Sequence, residues 1–186
     1  MNGLFYAALD LQHFCAERDW AFCFIGGLAV LRWGEHRITR DVDLSLLVGY
    51  GNERNYVETL LNNYKTRISD AYNFAMQNRV VLIVTENGVP ADITLSAIPY
   101  EEALIHRASL FAYAPDCALT TCSAEDLIIL KTFAGREKDW MDVVGIVARQ
   151  GARLDRTLIF ETLPPLLRAK DAMANLDRLR SIMNTP

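Results

Sequence analysis

Two segments, Gly26-Gly27-Leu28-Ala29 and Asp41-Val42-Asp43-Leu44, with thirteen residues between Gly27 and Asp41, decide how this chain reads. Ahead of the glycines, Ala21-Phe22-Cys23-Phe24-Ile25 is an unbroken apolar run with the pattern of a short buried strand, and Leu28 to Trp33 behind them reads as a helix that Gly34 can stop. A strand predicted over Val42 to Val48 sets Asp41 and Asp43 two residues apart, so both carboxylates project from one face. Two like charges held together are costly unless a cation or hydrogen bonds offset them. A divalent metal offsets them most simply, because Mg²⁺ takes hard oxygen ligands, usually one or two carboxylates, and leaves the rest of its octahedron to water and substrate phosphates. Gly26-Gly27, between a strand and a helix, lets backbone N–H groups approach phosphate oxygens with no Cβ in the way.

Asp92 stands in Pro90-Ala91-Asp92-Ile93, on the second of two predicted strands, Arg79 to Thr85 and Val89 to Ala97. Asn87-Gly88 between them suits the positive backbone angles of a tight hairpin turn. A carboxylate in that apolar neighbourhood makes a third ligand, in an arrangement able to align an attacking hydroxyl and a leaving pyrophosphate. Around these strands the periodicity predicts an opening helix from Leu4 that ends near Trp20, a helix from Asn52 to Lys65, another from Pro99 to Arg107, and an edge strand at Cys117 to Thr121. Ser123-Ala124-Glu125-Asp126 reads as an N-cap box opening a helix over Leu127 to Phe133. A further helix is expected from about Lys138 to Gln150, with Gly151 as its stop, and two more amphipathic segments from about Asp155 and Lys170. The first of these is expected to break or kink at Pro164-Pro165.

With 186 residues and 51% hydrophobic side chains the chain has enough apolar material for a packed core. A net charge of -4 argues against coating nucleic acid by bulk electrostatics. The charge is uneven: residues 1–122 hold 9 Lys/Arg against 14 Asp/Glu, and residues 123–186 hold 10 against 9, so a polyanion meets the C-terminal part more easily. The four cysteines show no C-x-x-C spacing and read as reduced thiols. Neither a signal peptide nor a membrane span fits the start, Met1-Asn2-Gly3-Leu4-Phe5-Tyr6, or the chain behind it, and a cytoplasmic protein is expected.

At the glycine pair and the acid-x-acid pair the sequence resembles the polymerase-beta-type nucleotidyltransferase superfamily. Within it the likeness is to the AbiEii/AbiGii toxin-like nucleotidyltransferases, through Arg37-x-Thr39-x-Asp41-x-Asp43, the Asp92 motif some fifty residues on, and Leu130-Lys131-x-x-Ala134-x-Arg136 followed by Lys138-Asp139 and Asp142. The resemblance runs from about Ile25 to Val147. It implies an α+β fold, a mixed sheet with flanking helices, as a catalytic core over residues 1–122 with a C-terminal helical region over 123–186 packed on it in a single compact unit. It also implies Mg²⁺- or Mn²⁺-dependent transfer of a nucleoside monophosphate from a nucleoside triphosphate. Asp41, Asp43 and Asp92 match the metal acids, Lys131 the helix lysine that faces the triphosphate, and Asp139 the late aspartate near the active site. Arg37, Thr39 and Arg136 are expected at the phosphates beside Gly26 and Gly27. The acceptor is left open among RNA, notably a tRNA end, a protein side chain and a small molecule. Relatives act as toxins with a separate antitoxin, which makes such a protein an expected partner. The competing reading is a nucleotide- or partner-binding module that keeps the fold and transfers nothing.

Overall fold

The computed structural model describes residues 3–184, so the part of the N-terminal reading that rests on Met1 and Asn2 lies outside the described residues. The chain divides into two compact units, residues 1–28 with 38–122 and residues 29–37 with 123–186.

The first unit holds α1 (Gly3–Ala16), β1 (Phe22–Phe24), the first residues of α2 (Gly26–Trp33), β2 (Val42–Leu47), α3 (Glu53–Asn63), β3 (Lys65–Thr66), α4 (Ala71–Asn78), β4 (Val80–Val84), β5 (Pro90–Ser96), α5 (Pro99–His106), β6 (Ser109–Ala114) and β7 (Cys117–Thr121). The strands form one mixed sheet in the order β3-β4-β5-β2-β1-β7-β6. Its centre is the parallel pair β2 and β5, in the register Val42↔Ala91, Asp43↔Asp92, Leu44↔Ile93. Val42, Leu44, Leu46, Ala91, Ile93 and Leu95 are buried and share one face, while Asp43 and Asp92 fall on the other. Burying a Leu or Ile contributes about 1.5–3 kcal/mol, and a slip of one residue would swap these leucines and isoleucines with the acids, so the apolar face holds the register that sets the two aspartates side by side.

Several expectations are corrected here. α1 stops at Ala16, and Asp19, at φ 53°, turns the chain into β1. The Asn87-Gly88 connection is not a two-residue turn: Thr85 N–H donates to Val89 O at 3.0 Å around Glu86-Asn87-Gly88, and of these three only Gly88, φ 83°, is left-handed. The Asn87 side chain instead donates to Gly3 O at 2.7 Å, tying the loop to the start of α1. β7 is not an edge strand; it pairs in parallel with β1 at Phe24↔Thr121 and antiparallel with β6, consistent with buried Cys117, Leu119 and Thr121. The edge falls to β6, which was not anticipated, as β3 and α4 were not.

The second unit holds the rest of α2, α6 (Ala124–Ala134), α7 (Glu137–Gln150), a short turn at Gly151–Arg153, α8 (Arg156–Ala169) and α9 (Ala174–Asn184). Helix α6 is its centre, with Leu127, Ile128 and Ile129 inaccessible, and α7, α8 and α9 all pack on it. Ser123 caps α6 by accepting from Asp126 N–H at 3.0 Å, and left-handed Gly135 ends it. Pro164 and Pro165 do not break α8. Ile159, Leu163 and Leu167 form a buried stripe at every fourth residue, and that packing outweighs the missing N–H groups. All four cysteines are free and buried, and burial pushes the Cys15 thiol up to about 12, so it stays protonated at neutral pH.

Candidate active site

Asp43 is the second residue of β2, and its carboxylate lies against Gly26, the first residue of α2. A Cβ on Gly26 would fall on the Asp43 carboxylate, and Gly26 itself sits at φ 56°, so this position demands glycine twice over. Gly27 shows the same logic, because a Cβ there would fall on the Thr39 hydroxyl. Thr39 Oγ1 in turn donates to Asp41 Oδ1 at 3.2 Å. The glycine pair, Thr39, Asp41 and Asp43 are therefore gathered at the N-terminus of α2, whose positive end favours negative charge.

Asp92 completes the group from β5, directly beside Asp43 in the ladder. Its carboxylate is ion-paired with the Arg67 guanidinium, a contact the sequence reading did not foresee. The residues suit a divalent cation. All donors are hard carboxylate oxygens, the missing Cβ of Gly26 makes room for Asp43, and two carboxylates with water and phosphate are what Mg²⁺ ordinarily takes. Among the described residues no three of His, Cys, Asp or Glu converge into a ready-made cage.

The second unit contains the other residues singled out from the sequence, and it joins them into one network. Lys131 Nζ lies 3.1 Å from Asp139 Oδ1 and 2.8 Å from Asp142 Oδ2. Arg136 Nε donates to Asp139 Oδ2 at 2.6 Å, while Arg37 grips Asp142 with Nε at 2.7 Å and Nη2 at 3.0 Å. Lys131 and both aspartates are buried, the lysine side chain being only 8% exposed. Burial alone would raise the two carboxyls. For Asp139 the charge-assisted bonds from Arg136 and Lys131 more than reverse that, and for Asp142 those from Arg37 and Lys131 do, so both stay below the ordinary aspartate range. Arg37, expected at phosphates, makes a bidentate pair with Asp142, a member of the network that was not among the candidate site residues. The spacing of Asp142 three residues after Asp139 on α7 puts both on one face, a signal that was present. Lys138 is exposed at the start of the same helix, and His36 is exposed in the 34–37 segment.

A mixed sheet thus presents aspartates on adjacent central strands beside a glycine-opened helix. The sequence profile of the nucleotidyl transferase AbiEii toxin family, of type IV toxin–antitoxin systems, matches residues 11–185, and the chain belongs to that family. It is a nucleotidyltransferase. No curated protein sequence matches it. In fold it is similar to an antigenic nucleotidyltransferase-like protein from Paracoccidioides brasiliensis, at 13% identity and a TM-score of 0.53, over 95% of this chain and 91% of that one. It is also similar to the antibiotic-resistance factor ANT(2'')-Ia, at 14% identity and a TM-score of 0.52, over 94% of this chain and 96% of that one. At these identities the likeness concerns the fold alone.

Proposed function

We propose that the chain moves a nucleoside monophosphate from a nucleoside triphosphate to an acceptor hydroxyl, with Asp41, Asp43 and Asp92 holding Mg²⁺ or Mn²⁺. The observation that carries this reading is the placement of the Asp43 carboxylate where a Cβ of Gly26 would be, in register with Asp92 on the next strand. The acceptor oxygen bonds the α-phosphorus, the bond from that phosphorus to pyrophosphate breaks, and the hydroxyl proton leaves to water. A bound divalent metal supplies charge neutralisation for the phosphates. The chain's own part is positioning: the carboxylates orient, and the N–H groups opening α2 favour phosphate oxygens. Lys131, Asp139, Arg136 and Arg37 are included as residues needed for turnover, on the family resemblance and on the rigidity that a buried lysine bonded to two buried aspartates confers.

Membership of a toxin family supports the further reading that the transfer is toxic and that an antitoxin protein opposes it. The acceptor is RNA, a protein side chain or a small molecule. Membership of the toxin family supports a cytoplasmic site of action, and among the described residues no helix is long and apolar enough to cross a membrane. The test is incubation of the purified protein with Mg²⁺ or Mn²⁺, each α-labelled nucleoside triphosphate in turn and a total-RNA pool, beside an Asp41→Asn/Asp43→Asn variant. Label on RNA or on the protein with wild type alone supports the reading and names the donor base. Equal labelling by the variant contradicts it.

A further inference from the structure

Four strands line up a row of residues across the first unit's sheet. Asp43 on β2 is the ladder partner of Asp92 on β5, and Asp92 is the ladder partner of Leu82 on β4. Arg67, the residue after β3, donates its backbone N–H to Leu82 O at 3.2 Å, which anchors it at the end of the same row. Neighbouring strands lie about 4.8 Å apart, so the long Arg67 side chain has to pass over Leu82 to place its guanidinium on Asp92, two strands away. The backbone bond and the ladder register together make this reach a built feature of the sheet.

The guanidinium engages Oδ1 of Asp92, and a cation already held on that oxygen weakens its hold on a metal. Arg and a divalent cation compete for the same oxygens, and the guanidinium fork fits phosphate as well as carboxylate. We propose that Arg67 is the counter-ion of the third acid: it occupies Asp92 until a nucleoside triphosphate arrives, then gives its guanidinium to the phosphates and releases Asp92 to the metal. Metal and nucleotide consequently bind cooperatively, each enhancing the other by the same factor, as linkage requires. Arg67 is thus a positioning residue, and the proposal rests on the metal reading of Asp41, Asp43 and Asp92.

The test is Mn²⁺ binding followed by electron paramagnetic resonance, with and without a non-hydrolysable nucleoside triphosphate analogue. It compares wild type, Arg67→Gln, Arg67→Lys, Asp41→Asn/Asp43→Asn and Arg40→Gln, the last removing an exposed charge next to Asp41 in sequence. Arg67→Gln is expected to bind Mn²⁺ alone about tenfold more tightly and to lose most of the nucleotide enhancement, a coupling of ordinary size. Arg67→Lys should restore part of it, and Arg40→Gln should change both by less than about twofold, the scatter of independent effects. The proposal is overturned if Arg67→Gln leaves affinity and enhancement at wild-type values, or if Arg40→Gln matches it, which would make the effect one of bulk charge. In either case a loss of Mn²⁺ binding in Asp41→Asn/Asp43→Asn leaves the metal reading standing. Wild type that binds no Mn²⁺ with or without the analogue overturns the metal reading and this proposal with it.

Discussion

In the sheet unit, Asp41, Asp43 and Asp92 lie at an accessible end of the ladder with a guanidinium drawn onto one of them, whereas in the helical unit Asp139 and Asp142 are enclosed by Lys131, Arg136 and Arg37. The same residue type is therefore used in two ways. Where the acids are buried, cations match them closely and the group behaves as structure, holding α6 to α7 through Lys131. Where the acids stay in reach of water, their mutual repulsion is affordable and is relieved most when a cation binds.

If that contrast is sound, neutralising a member of each group should have opposite effects on folding. The largest is expected for Lys131→Met, which leaves two buried carboxylates short of a partner. Urea unfolding should show a loss of about 3 kcal/mol, the scale for breaking a buried ion pair from one side. A variant as stable as wild type would mean that the network is slack.

Next in size is an acid dependence to which the helical unit's two buried aspartates contribute. Both carboxyls are lowered in the folded state, so the stability they contribute is fully present above the ordinary aspartate value of 3.8 and is lost as pH falls through their lower folded values. The urea midpoint of wild type should drop steeply below about pH 4, and Asp142→Asn should flatten that limb. An unchanged acid limb in Asp142→Asn would dissociate the network from acid unfolding.

The smallest effect is expected for Asp43→Asn in the absence of metal. It removes a like-charge pair across adjacent strands and should stabilise the fold by about 0.5 kcal/mol. A clear destabilisation would place Asp43 with the structural acids.

The sequence made the sheet acids legible because their signal is local. Two aspartates at spacing two, apolar neighbours and a glycine pair at the preceding strand end are all contained in one short stretch, and the ladder partner of Asp43 turned out to be the third acid suspected. What escaped depends on distant pairing or on weak local patterns. α4 buries only Ala71 and Ala75, too little apolar contrast to mark a helix, and β6 leaves Ser109 to Ala112 exposed without alternation. β7 could be seen as a strand but not as an interior one, since its neighbour β1 is almost a hundred residues earlier. Arg67 looks in sequence like any surface arginine, and only the row through Leu82 connects it to Asp92. The partners of Lys131 sit on the next helix, so the lysine's burial and its double pairing became visible only with α6 and α7 packed.

The most direct test of the acid group as a cation site is thermal unfolding of wild type and Asp41→Asn/Asp43→Asn in chelator, in Mn²⁺, and in Mn²⁺ with a non-hydrolysable nucleoside triphosphate. The expected result is that the variant melts at or above wild type in chelator. With metal and nucleotide at a hundredfold excess over Kd, wild type alone should then gain about 2.7 kcal/mol. A variant that melts well below wild type in chelator, or that gains as much from metal and nucleotide as wild type does, would contradict the account.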